Sequence, residues 1–437
     1  MAIIKQPLKG CSPVPRAGKV LVVGTTTDYV DWIRSAAPGK ALFLTDPAIR
    51  KAGKEDVPAH DEEILCCLED ADPVSRALEA HLDRYDQKII GVACFDCESM
   101  VLASILARDQ GVAYPSVEAI CNARDKYVSK QIWQAHGIAC PRVFPVNTRE
   151  DVLSFFQETG RKGIVLKPFS ASGSELVFKC QTPGECETSF DILAKGLQKQ
   201  SSHPLFKKVS SLGHEMLAEE MIEGPEYSCD LIVENGHATL IRLTRKIKPS
   251  NKPFGTIQGY VLTADLPGRF DVAQLEKVLF QAASTLGIHR GICMVDFILK
   301  DDQPVLIELT PRPGGDCLPF MLREAGAFDI LEAALDFAAK KPVALIDRHH
   351  FSSCIGFRIH APRAGILKGI DTDQLSLDPR IKKIHIIRKP GHGITLPPED
   401  YDSWYLGHLI ISPGKDNYSE TEFLLISNRI FIEIEAA

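Results

Sequence analysis

Apolar positions along the chain follow two rhythms. "KVLVVGTTTDY", "ALFLTD" and "KIIGVACFD" contain nearly unbroken apolar runs, as strands buried on both faces do. Between the last two, "PVSRALEAHLDRY" repeats its apolar residues at helical spacing. Strand, helix and strand in alternation predict a parallel α/β unit over about residues 18–115. "ARDKYVSKQIWQAHGIACP" then reads as an amphipathic helix, with Gly137 near its end and Pro141 after it. "GIVLKPFSASGSELVF" gives a strand, a loop of small residues and another strand, and the mixed polar stretch from about 181 to 214 a helix and a connection. In "EMLAEEMIEGPEYSCDLIVENGHATLIRLTRK" strands flank Asn235-Gly236, a dipeptide suited to a type I′ hairpin turn. From about residue 346, short strands and turns beginning "CIGFRIHAPRAGILKGI" complete the chain.

One hairpin breaks the apolar rule. In "MVDFILKDDQPVLIELTPRPGGD" the strands "MVDFIL" and "PVLIEL" flank the polar turn "KDDQ", yet each carries a carboxylate, Asp296 and Glu308. An unpaired buried charge costs several kcal/mol, roughly, or is forced to neutralise. A hairpin folded symmetrically about Asp302 makes the two acids cross-strand partners, with Cβ atoms roughly 4.5–5.5 Å apart. A divalent cation turns that repulsion into a binding site, because Mg²⁺ prefers carboxylate oxygens. Strand alternation puts Thr310 on the Glu308 face, and Arg312 follows just past Pro311. The alternative is a solvated hairpin with both acids facing water.

Composition narrows the field. A chain of 437 residues has room for two to four domains or subdomains. A net charge of -7, a charged fraction of 24% and the lack of a long basic block argue against a nucleic-acid-binding surface. The first residues hold no signal-peptide core and no run approaches the roughly 18 apolar residues of a membrane span, so the expected setting is cytoplasmic, with no membrane partner. Many of the 13 cysteines, such as Cys293 and Cys354, sit in apolar strand-like contexts and read as reduced thiols. The lone CxxC of Cys94 and Cys97 has no second ligand pair and reads as structural coincidence. No GxGxxG follows the first strand, and none of the four Gly-Lys pairs precedes Ser or Thr, so dinucleotide and Walker A sites are unsupported.

The ordered set "RDKYVSKQIWQAHGI", "VLKPFSASGS", "AEEMIEGPEYS", "VDFIL" and "LIELTPRPGG" resembles the ATP-grasp superfamily, in particular its carboxylate-amine ligases such as the D-alanine:D-alanine and L-amino acid ligases. The resemblance covers about residues 20–345. It implies an α/β architecture with a Rossmann-like parallel-sheet domain over 1–115 and an ATP-grasp domain over 116–345. The latter comprises a small lid subdomain at about 141–217 and an α+β domain, and residues 346–437 form a β-rich extension. Lys126, at a helix start, and Lys167, at a strand end, are placed for two ammonium groups to converge on an anion, and by resemblance they contact nucleotide phosphates. Ser170, Ala171, Ser172, Gly173 and Ser174 match the phosphate lid, whose small residues allow close backbone approach.

Further roles are implied in the same way. Backbone near Glu219 and Met221 bonds adenine, Ile222 packs on its ring, and Glu226 takes the ribose hydroxyls. Asp296, Glu308 and Thr310 hold Mg²⁺ or Mn²⁺ against ATP, Thr310 standing where the family usually has Asn. Arg312 steadies an acyl phosphate and then an oxyanion, so Arg312, Lys167 and Glu308 are the expected catalytic set. Gly314 and Gly315 let substrate lie along backbone, Asp316 accepts a substrate ammonium, and Arg245, with Lys246 and Lys248 nearby, binds a substrate carboxylate. The implied activity is ATP-dependent amide formation between a small-molecule carboxylate and an amine through an acyl phosphate, in a chain that is free to form a homodimer. The alternatives are a phosphoribosyl-amine carboxylase or formate-dependent transformylase of purine synthesis, or a nucleotide-binding regulatory protein without turnover.

Overall fold

In the computed structural model the first apolar runs become β1 (Ala17–Val23), β2 (Ala41–Thr45), β3 (Glu63–Leu65) and β4 (Gln87–Ala93). They form a parallel sheet in the order β3-β2-β1-β4. Val20 and Val22 point into one apolar cluster and Leu21 and Val23 into another, so both faces are covered, which is why these strands read as unbroken apolar runs. The structure describes residues 17–169, 175–199, 216–249, 251–268, 271–413, 425–426 and 428–436.

A second sheet contains β5 (Val143–Val146), β6 (Ile164–Pro168), β7 (Phe178–Cys180) and β8 (Met216–Glu220), antiparallel in the order β5-β8-β6-β7. The helices Arg149–Glu158 and Pro183–Lys199 cover it, burying Phe155, Phe156, Leu193 and Leu197.

The largest sheet has eight strands. The sequence-local part is β9 (Glu226–Glu234), β10 (His237–Ile247), β11 (Gly259–Leu262), β12 (Gly291–Lys300) and β13 (Gln303–Thr310). The tail supplies β14 (Ile355–His360), β15 (Gly365–Asp371), β16 (Ile381–Ile386), β17 (Gly393–Ile394), β18 (Tyr405–Ile411) and β19 (Phe431–Glu435). The order is β13-β12-β9-β10-β11-β14-β18-β16, while β17-β15-β19 form a small separate sheet. The tail is therefore continuous with the central sheet and not appended to it. Tyr227, Cys229 and Leu231 of β9 and Leu243 of β10 pack with Leu275, Leu279 and Ala283 of the helix Val272–Thr285. The opposite face carries Glu226, Ser228 and Asp230 of β9, Arg242, Thr244 and Lys246 of β10, and Asp296 of β12. No helix among the described residues is long and apolar enough to cross a membrane.

Candidate functional site

Asp296 and Glu308 are cross-strand partners. The turn, however, is not symmetric about Asp302. Asp301 and Asp302 both have positive φ, +50° and +58°, and Lys300 pairs with Gln303, as in a two-residue type I′ turn. Left alone, that register would miss Glu308 by one residue. The ladder instead shifts between Asp296 and Phe297, stepping over Ile307, and this β-bulge restores the facing pair. Lys130, fully buried, donates from Nζ to the Ile307 carbonyl at 2.7 Å.

Strand alternation sets the rest of this face. Glu226, Ser228 and Asp230 of β9 stand beside Arg242, Thr244 and Lys246 of β10. Arg242 and Asp230 form a fully buried ion pair at 2.6 Å, and Arg242 also bonds the Ser228 carbonyl, the Ser228 hydroxyl and Thr244. The second Asp230 oxygen accepts the Gly314 amide at 2.8 Å. A Cβ on Gly314 would come within 3.1 Å of Asp230 and Arg242 and 2.8 Å of Leu318, so a larger residue would press on this ion pair.

Lys246 reaches from β10 to two acids, Glu226 at 2.8 Å and Asp296 at 2.5 Å, and Lys248 is a second partner of Glu226. Burial alone would push the Glu226 carboxyl up, but Lys246 and Lys248 more than offset it and hold it at about 2. Asp296 goes the other way. Burial raises it, Lys246 only partly counters, and the neighbouring carboxylates of Glu308 and Glu226 raise it further. Its Oδ1 is buried without a hydrogen-bond partner. For Glu308, burial is outweighed by the surrounding lysines, led by Lys126, whose Nζ lies 3.5 Å away. Lys126 is fixed because Asp125 caps its helix, Lys126–Ala135, accepting from the Tyr127 and Val128 amides at 2.9 Å each.

The second sheet closes the site from above. The Glu219 carboxylate lies between Lys167, its ion-pair partner, and Lys130 at 3.4 Å. Burial, reinforced by Lys167 and Lys126, brings Lys130 down to about 8 despite Glu219. Between the two sheets lies a cavity of about 310 Å³. Lys126, Lys167, Glu219, Met221, Ile222, Glu226, Asp296 and Glu308 all line it, with Lys246, Phe254 and Ile298 among the other walls.

Other expected residues fall elsewhere. Ser170, Ser172, Gly173 and Ser174 lie outside the described residues. Thr310 ends β13 opposite Met294, two pairs beyond the acids. The Met221 amide bonds the Gly163 carbonyl at 3.3 Å, so it extends the sheet and is not presented to the cavity. Arg245 pairs with Tyr227 on the face packed by the helix Val272–Thr285, and alternation turns it away from the cavity; Lys246 and Lys248 hold the position expected of it. Asp316 is not open to an ammonium either. It forms an ion pair with Arg358 of β14 at 2.8 Å and accepts the Tyr405 hydroxyl of β18. Arg312 donates from Nε and Nη2 to Cys97 Sγ at 3.3 and 3.2 Å and from Nη1 to the Pro313 carbonyl at 2.7 Å. One half of the CxxC thus packs on a candidate site residue. The cysteines of the described residues are all free.

Sequence reasoning misses Lys130, Arg358 and Tyr405, and names Lys246 only beside Arg245 as a substrate contact. Lys130 carried a signal, four residues after Lys126 on one helix face, and so did Lys246, alternating with Arg245.

Residues 161–319 match the family model of the ATP-grasp domain. Those residues form an ATP-grasp domain. The D-alanine--D-alanine ligase of Acidovorax ebreus is 28% identical over 215 residues, which is 47% of this chain and 59% of that protein. The chain thus spans about three fifths of that relative's length. The D-alanine--D-alanine ligase of Ralstonia nicotianae is 25% identical over 299 residues, 63% of this chain and 85% of that one. The crystal structure of the L-amino acid ligase from Bacillus licheniformis superposes with a TM-score of 0.71 at 18% identity, covering 97% of this chain and 100% of the other. The fold of this chain is therefore the ATP-grasp fold, and the cavity lies between the two antiparallel sheets that include the ATP-grasp domain's strands.

Proposed function

We propose that the chain is an ATP-dependent, ADP-forming carboxylate-amine ligase acting on amino acid-like small molecules. The observation that carries this reading is the facing pair Asp296 and Glu308, with the buried Asp296 Oδ1 unpartnered, at the edge of a cavity that also holds Lys126 and Lys167. Among the described residues no three His, Cys, Asp or Glu side chains gather to hold a metal alone. Two carboxylates completed by phosphate oxygens are how a Mg²⁺-nucleotide site is built. Asp296 and Glu308, with the Thr310 hydroxyl nearby, would hold Mg²⁺ or Mn²⁺, which neutralises charge on the β- and γ-phosphates.

The other residues take roles from their positions. Met221, Ile222 and Ile298 offer apolar surface to a base, Lys126 and Lys167 face the phosphates, and Glu226 accepts the ribose hydroxyls. A substrate carboxylate oxygen attacks the γ-phosphorus and the bond to ADP breaks, leaving an acyl phosphate. An amine nitrogen then attacks the acyl carbon and loses a proton, and phosphate departs with the former carboxylate oxygen. Arg312, anchored by Cys97 and its own loop, stabilises the acyl phosphate and the tetrahedral oxyanion. No covalent nucleophile is needed, since proximity supplies up to about 7–11 kcal/mol of such a barrier. We read residues 1–115, 116–345 and 346–437 as the three units of this enzyme, with 141–217 as the lid.

The test is ADP release from MgATP with a panel of amino acid pairs. Release that needs both a carboxylate and an amine supports the ligase. Release with bicarbonate or formate and a phosphoribosyl amine instead points to purine-type chemistry, and nucleotide binding without release under any condition points to a regulatory protein.

A further inference from the structure

Beyond the nucleotide cavity, the polar face of the central sheet continues into the tail. Tyr260 of β11 pairs with Lys246 on one side and Gly356 on the other, and two residues on from Gly356, Arg358 faces the same way. Arg358 pairs with Asp316, and its guanidinium stacks 4.4 Å from the Tyr405 ring centroid. Lys252, in the loop between β10 and β11, reaches the same spot. Its Nζ is 3.4 Å from Nδ1 of the buried His360 and 5.6 Å from the centroid of the Trp404 ring. Lys252 is near enough to Arg358 that, after burial, Arg358 is what lowers it, to about 8. Burial also holds His360 well below its ordinary value, so it accepts from Lys252 as a neutral ring.

The charges there do not balance. Lys252 and Arg358 are two cations against one carboxylate, Asp316, and among the described residues no carboxylate pairs with Lys252. Cations placed side by side out of water repel and need an anion between them, as the facing acids need a cation. This cluster adjoins the reaction centre, because Asp316 follows Gly315, where an added Cβ would meet nothing nearer than Arg312 at 3.8 Å and the Tyr29 hydroxyl at 3.9 Å. The loop bearing Lys252 also supplies Phe254 and Gly255 to the nucleotide cavity, joining the two ends.

We propose that Lys252 and Arg358 form a second anion subsite, which selects a substrate carrying a carboxylate that does not react, such as an acidic amino acid. This rests on the ligase reading, with Arg312 serving the reacting carboxylate. Neutral substrates leave Lys252 uncompensated beside the Arg358–Asp316 pair, whereas the additional carboxylate gives Lys252 a charge-assisted hydrogen bond.

The experiment compares L-glutamate and L-aspartate with L-glutamine and L-asparagine on the full chain. Binding in the presence of Mg-ADP is followed by calorimetry, and turnover by ADP release. The expected preference is on the order of tenfold or more in affinity and kcat/KM for the acidic member of each pair. In Lys252→Met that preference collapses, chiefly through KM, while Lys252→Arg retains it. Equal binding of acid and amide by the unmodified chain, or an unchanged preference in Lys252→Met, overturns the subsite. Acid-selective binding lost in Lys252→Met but without ADP release under any condition keeps the subsite and overturns the ligase reading.

Discussion

Replacing Lys246 with methionine removes one charge while keeping most of the side chain's volume, and the structure sets the size of the effect. The ammonium bridges Glu226 at 2.8 Å and Asp296 at 2.5 Å, its side chain is 7% exposed, and those of the acids are 14% and 10%. At an effective dielectric near 20, each contact is worth about 6 kcal/mol of Coulomb attraction, most of it offset by desolvation of the charges. Breaking such a buried pair from one side costs about 3–5 kcal/mol, because Asp296 stays buried without its cation while Glu226 keeps only Lys248. Lys246→Met should therefore lower the urea-unfolding stability of the nucleotide-free protein by about that amount. Adding Asp296→Asn should restore part of the loss, since Glu226 keeps Lys248 as a partner and Asp296 is the carboxylate left without a cation. Circular dichroism through a urea series in EDTA reads both. A single variant within about 0.5 kcal/mol of the parent, the spread of an ordinary surface substitution, or a double variant no better than the single, would refute the argument that Lys246 neutralises this face.

The remaining predictions concern the same cavity. Lys167→Ala should weaken ATP binding by on the order of tenfold or more while the fold is retained, as isothermal titration would show. Glu308→Gln should abolish most ADP release, yet in EDTA its stability should stay within about 1 kcal/mol of the parent, because the 3.5 Å contact to Lys126 is lost together with repulsion from Asp296; a large drop in EDTA would make Glu308 chiefly structural. Glu226, held at about 2, lies below its unfolded value of roughly 4.3, so its stabilisation is complete above the unfolded value and is lost as pH falls through the folded one. Unfolding of the parent should therefore steepen between about pH 4 and pH 2 relative to Glu226→Gln, by about 3 kcal/mol in total.

Much of this arrangement is legible in the linear chain. Apolar runs alternating with a helical pattern specify the parallel sheet, Asn235-Gly236 forms its hairpin turn with positive φ at both residues, and two acids in apolar strands mark the site. A symmetric turn predicts the facing of Asp296 and Glu308, whereas a tight turn and a bulge produce it. A bulge has no composition signature, and here it is held by Lys130, 177 residues away in sequence. The charge run does not say which of Arg245 and Lys246 faces in; the helix packed on the Arg245 side decides. In the linear chain Asp316 reads as open to an ammonium because its partners, Arg358 and Tyr405, lie 42 and 89 residues further on, in strands whose place in the sheet no local pattern reveals.

The central claim is that the cavity activates a carboxylate by phosphorylating it. The most direct measurement supplies an amino acid that supports ADP release with ¹⁸O in its carboxylate and analyses the released phosphate by mass spectrometry. The account predicts one ¹⁸O in each phosphate, carried from the carboxylate through the acyl phosphate. Phosphate free of the label, or labelled only when the water carries ¹⁸O, would show that ATP is hydrolysed without carboxylate activation and would contradict it.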